Sequence, residues 1–171
     1  MRTTDPMRRI LTDIDLGKLD GGDVSAAHQQ VVEEGWTKTD EGALLLHGLL
    51  EQYSGNLHAF HDVLALEAAV NGRGVVDWDL PMEDARRRQP LVRRAFAFAY
   101  AALARAREQG FAVLAYVSVS RADTDEAPLT AHVTWCGVHP ELPPYLADPA
   151  SAREAVAEIG HADLPPCRGR R

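Results

Sequence analysis

The feature that most restricts how this chain can fold is a change of hydrophobic period at Gly110. Upstream, over residues 90–109, Val92, Phe96, Ala99, Leu103 and Ala106 recur at helical spacing, and Gly110 supplies a C-terminal stop. Downstream, Phe111, Val113, Ala115, Val117 and Val119 alternate with Tyr116, Ser118 and Ser120, which is the period of a strand. After the polar stretch 121–128, Leu129, Ala131, Val133 and Trp135 alternate with Thr130, His132 and Thr134. A long helix followed by a returning hairpin argues against a parallel βαβ sheet and for an α+β fold.

The rest of the chain reads as mostly helical. Over residues 40–71, Leu46, Leu50, Tyr53, Leu57, Phe60 and Leu64 recur at spacings of four and three, which predicts one long helix, bent or split at Gly55. Residues 23–34, closed by Gly35, form a further predicted helix, and another begins near Asp79 and ends before Pro90. The expected architecture is a single domain: an N-terminal arm or short lead-in helix (1–22), an antiparallel helical core (23–110), a C-terminal β-hairpin (111–137), then a proline-rich link, a short final helix at about 148–159 and a tail (138–171). A lone hairpin is marginal, so it is expected to pack on the helices or against a second copy in a homo-oligomer.

Composition narrows the function classes. A net charge of −7 disfavours generic nucleic-acid binding, because the long-range field repels phosphate. The longest apolar run, 95–104, falls short of the ~20 residues needed to span a bilayer, and no apolar leader core follows Met1. A cytoplasmic protein without membrane or nucleic-acid partners is expected. Two cysteines cannot make a disulfide framework. No P-loop, Gly-x-Gly-x-x-Gly, Gly-x-Ser-x-Gly or His-Glu-x-x-His motif occurs, which removes the common nucleotide-binding, hydrolase and metalloprotease signatures.

Three constellations carry candidate chemistry. On a continuous 40–71 helix, His47, Ser54 and His61 recur every seven residues, with Glu51 and His58 one step further round. Imidazoles and a carboxylate on one helix side suit a divalent metal at His47, His58 and His61, or acid–base catalysis by His58 and His61 with Glu51; a solvated helix edge carries the same pattern. Cys136 and His139, two residues apart at a strand end, together with His161 and Cys167, resemble half of a structural zinc site, although the later spacing fits poorly. Cys136 with His132 or His139 as base is the thiol-nucleophile variant. Finally, Arg86, Arg87, Arg88, Arg93 and Arg94 place five guanidinium groups within nine residues, an arrangement that could hold an anion or simply exchange ion pairs with neighbouring acids. The polar alternates Tyr116, Ser118, His132 and Thr134 would line a pocket if their face of the hairpin is covered.

Trp36, Trp78 and Trp135 stand at segment boundaries and are expected to cover the core. The functional expectation is a small-molecule-converting enzyme with a helical pocket, metal-assisted or using histidine as acid and base. The alternative is a non-catalytic dimeric binding or adaptor module that engages an anionic ligand or an acidic protein through the arginines.

Overall fold

The organising element is helix α5, Asp84–Glu108. Leu91, Val92, Ala95, Phe96, Ala99, Ala102, Leu103 and Ala106 on it are completely buried. In the computed structural model, which describes residues 1–121, 127–148 and 151–165, α5 runs straight through Pro90. The expected break there is therefore corrected. A proline inside a helix costs about 3 kcal/mol because a backbone bond is lost. Two fully buried side chains immediately after it, Leu91 and Val92, offset that cost at about 1.5–3 kcal/mol each. The C-terminus closes as the glycine pattern requires: Gly110 takes φ +78°, and the amides of Phe111 and Gly110 donate to Ala106 and Arg107 carbonyls at 2.9 and 3.1 Å.

Under α5 lies an antiparallel sheet of five strands in the order β1-β7-β5-β6-β4: β1 Arg2–Thr3, β4 Arg73–Gly74, β5 Val113–Arg121, β6 Leu129–Gly137 and β7 Ala155–Ile159. The hairpin strands β5 and β6 pair in the register Val117↔Val133, and their inward face, from Ala115 to Val119 and from Ala131 to Trp135, joins the core with α5. β2 (Trp36–Lys38) and β3 (Leu44–Leu46) form a separate two-stranded sheet. The remaining helices are α1 (Asp5–Leu11), α2 (Ala26–Glu34), α3 (His47–Glu51) and α4 (Val63–Asn71). Trp36 ties the small sheet to α5, its indole N–H donating to the Ala102 carbonyl at 2.9 Å.

The expected helical core with a terminal hairpin and a final helix is thus wrong in three places. The segment expected as a final helix ends in strand β7, every residue of which is buried. It pairs with β5 through Ala115↔Ile159 and Val119↔Ala155. The expected N-terminal arm is built into the sheet, with Arg2 opposite Glu158 and Met7 completely buried. The continuous 40–71 helix is instead β3, α3, a single 3-10 turn at Leu57–Ala59 and α4. Local side-chain caps break it. Asn56 Oδ1 accepts from the His58 amide at 3.0 Å and Asp62 Oδ1 from the Ala65 amide at 2.7 Å, both competing with helix continuation.

These corrections remove the free hairpin edges that made a second subunit attractive. The outermost strands are two residues each, a length that gives another chain little to pair with. Among the described residues no helix is long and apolar enough to cross a membrane.

Candidate functional site

Helix α4 determines what the second face of the sheet looks like. Glu67 and Asn71, one turn apart, are completely buried and bind two strands that do not pair with each other. The Glu67 carboxylate accepts from the amides of Leu44 and Gly137, both at 2.7 Å, and contacts His139 Nε2 at 2.9 Å. Asn71 accepts from the Leu46 amide at 2.9 Å and donates to the carbonyls of Leu44 and Trp135 at 2.8 and 3.0 Å. Four helical residues rise about 6.0 Å and two strand residues about 6.6 Å, so an i, i+4 pair can serve backbone groups two residues apart on both strands. In this way α4 closes the edge of β6 beyond β4.

Beside α4, the outward alternates of the hairpin form a polar floor. Cross-strand pairing sets Tyr116 between Thr134 and Glu158, and Ser118 between His132 and Val156. Tyr116, Ser118, His132, Thr134 and Val156, together with Tyr145 and Glu154, line a cavity of about 320 Å³. An adjoining cavity of about 230 Å³ runs beneath the proline-rich segment and shares Tyr116 and Tyr145, whose rings lie 5.1 Å apart. The carboxylate of Glu158 is held by Arg2 in a bidentate pair at 2.7 and 2.6 Å. Burial, reinforced by Glu158, raises the pKa of the Tyr116 phenol, so it stays a neutral donor near pH 7.

His132 is the titratable group on this floor best placed for chemistry. It remains open to solvent on the cavity wall, with Nδ1 3.3 Å from the Thr134 hydroxyl. Partial desolvation, and secondarily the Arg73 guanidinium, hold its pKa below the usual histidine value. It is therefore a neutral imidazole at pH 7. In the tautomer whose Nδ1–H donates to Thr134, Nε2 carries the lone pair. Gly72 makes room for the ring: a Cβ there would lie 3.0 Å from His132 Cε1 and 2.7 Å from the Ala68 carbonyl oxygen.

A third cavity, of about 400 Å³, lies between the β2–β3 turn, α3, the 3-10 turn and the start of α4, and His58 and His61 both line it. Nε2 of His61 is 2.8 Å from Asp62. His47 is not part of that lining; it pairs with Glu51 at 3.4 Å on α3. The breaking of the 40–71 helix therefore separates His47 and Glu51 from His58 and His61. Among the described residues no three His, Cys, Asp or Glu side chains gather as a metal-binding group.

The arginines are clustered in sequence and dispersed in space. Arg87, 3% exposed, donates to the carbonyls of Leu129, Asp77, Leu80 and Pro81 and pairs with the Asp77 carboxylate, locking loop 75–83 onto the sheet. Arg93 pairs with Asp23 at 2.6 Å, Arg94 grips Asp79 bidentately at 2.6 Å, and Arg86 reaches Glu83 at 3.6 Å. Arg88 is exposed.

Cys136 is buried, and burial followed by the charge of Glu67 raises its pKa, the opposite of an activated thiol. His139 is turned to Glu67; His161 sits in a separate 3-10 turn at His161–Asp163; Cys167 lies outside the described residues. Of the tryptophans, Trp36 and Trp135 are buried, whereas Trp78 is 81% exposed.

Sequence reasoning passed over Glu67, Asn71, Tyr145 and His28. The available signal was a pair of polar residues four apart in the otherwise apolar run Leu64 to Asn71. Comparison of the chain with protein-family models, with curated proteins and with solved structures gives no match.

Proposed function

We propose that this chain is a small-molecule-converting enzyme whose site is the polar outer face of β5 and β6, with His132 as proton acceptor. The observation that carries the reading is a solvent-accessible imidazole, oriented by Thr134, on the wall of a cavity that Tyr116 and Ser118 also line. A general base needs a lone pair and access to the substrate's proton, and His132 offers an open ring nitrogen on the cavity wall. Tyr116 and Ser118 supply hydrogen bonds for a polar substrate. The class of reaction supported is proton transfer from the substrate, or from a water that attacks it.

A substrate-independent probe tests the role. Nitrophenyl acetate hydrolysis reports a reactive imidazole, and His132→Gln is expected to lower the rate about a hundredfold or more, the low end for loss of general-base assistance. The wild-type pH–rate profile is expected to have its acid midpoint below the ordinary histidine value of about 6.5. Equal rates in wild type and His132→Gln, with both folded, would remove His132 from the mechanism.

A further inference from the structure

We infer that the cavity at His58 and His61 is a separate binding site for an amphipathic amine, a molecule with an apolar body and a cationic head. Its interior is hydrocarbon: Leu45, completely buried, forms the floor, and Leu50, Phe60, Val63 and Leu66 form the walls. A volume of about 400 Å³ lies within the size range of small-ligand sites. Leu57 stands on the rim with 38% of its surface in water, an apolar cost that an occupant would remove.

The mouth decides the charge of the head group. Its polar groups are Thr39, Glu41, His58, His61 and Asp62. Both oxygens of Asp62 are in use, one accepting from the Ala65 amide and the other beside His61, which fixes the carboxylate in place. Glu41 is exposed on the β2–β3 turn. The rim holds the carboxylates of Glu41 and Asp62, and the net charge of −7 adds a long-range preference for cations. An ammonium at the rim meets carboxylates. A carboxylate head on the same body would be repelled. No substrate conversion is involved, so this site stands independently of the role assigned to His132.

Phenylbutylamine and phenylbutyrate share one body and carry opposite heads, and their parallel titration into the full chain separates the outcomes. Histidine ring NMR signals are the readout. The amine is expected to bind saturably, shift His58 and His61 but not His132, and exceed the acid by about fivefold or more, as a rim charge pair allows. Glu41→Gln, an exposed change with no packing cost, is expected to bring the two affinities together. Leu66→Trp should fill the cavity and abolish binding. The inference is overturned by absence of saturable binding up to millimolar amine, by equal binding of the acid, by a Glu41→Gln preference equal to wild type, or by binding that survives Leu66→Trp. If Leu66→Trp does not fold, the Glu41→Gln comparison decides alone.

Discussion

His28 makes folding sensitive to mild acid, and the size of the effect follows from its surroundings. The residue is 5% exposed on α2, its ring stacked on Phe98 with centroids 4.0 Å apart and planes 2° apart. Phe98 in turn meets Trp135 edge-on at 4.7 Å, so the imidazole terminates an aromatic row that begins in the sheet. Burial, with Arg73 adding repulsion and a backbone hydrogen bond at Gly74 opposing, lowers its pKa from 6.5 to about 4. The direction sets the sign. Above the unfolded pKa both states are neutral and nothing is lost; as pH falls toward the folded value, the unfolded chain takes up a proton that the native state refuses, and stability drops. Over the full shift the limit is about 3 kcal/mol, and between about pH 7 and about pH 5 the loss is about 2 kcal/mol. Urea unfolding followed by circular dichroism at both pH values, on wild type and His28→Gln, isolates the term, because the other titrating groups remain common to both proteins. Wild type is expected to lose about 2 kcal/mol more than the variant over that interval. Equal losses would mean that His28 protonates in the native state, and the argument from burial would fail.

Two further predictions concern the buried polar residues. Glu67→Gln is nearly isosteric, yet an amide cannot accept from both the Leu44 and Gly137 amides, so a stability loss of about 2 kcal/mol or more is expected in urea unfolding. Arg87→Lys keeps the charge but loses the guanidinium fork, and is expected to cost about 3 kcal/mol and to open loop 75–83 to proteolysis. Arg86→Gln, on an exposed pair, should change stability by less than about 0.5 kcal/mol and leave the loop protected.

What was legible in the sequence was what local periodicity determines. Helix α5 and the strands β5 and β6 each bury one regular face, and their patterns show it. β7 was illegible because Ala155–Ile159 has no preference of its own strong enough to override the helical reading; it is a strand because β1 and β5 flank it on both sides. The 40–71 stripe misled for a related reason. Leu46 is buried on β3, and Leu50 and Leu64 are half-buried on α3 and α4, so apolar residues from three elements happened to fall on one helical ruler. The arginine cluster shows the converse error. At about 100° per residue, Arg86, Arg87 and Arg88 point three different ways, and Arg87 alone turns inward. The Tyr116, Ser118, His132 and Thr134 face was visible as a face, but whether it was covered depended on where α4 lay, which no local pattern encodes.

The position of α4 is in turn determined by its two buried polar residues. On a helical wheel Val63, Leu66 and Val70 occupy one sector, Glu67 and Asn71 the next, and Leu64 and Ala68 the one beyond. The first sector faces the apolar cavity and its satellite core, the second bridges β3 to β6, and the third faces the cavities over the sheet. A purely apolar helix of this length could rotate with little penalty. Here a rotation by one residue, about 100°, would leave the Leu44, Leu46 and Gly137 amides buried without acceptors, at about 1–3 kcal/mol each. The middle sector therefore fixes the two outer ones. The walls of both candidate sites are held in place by hydrogen bonds that belong to neither of them.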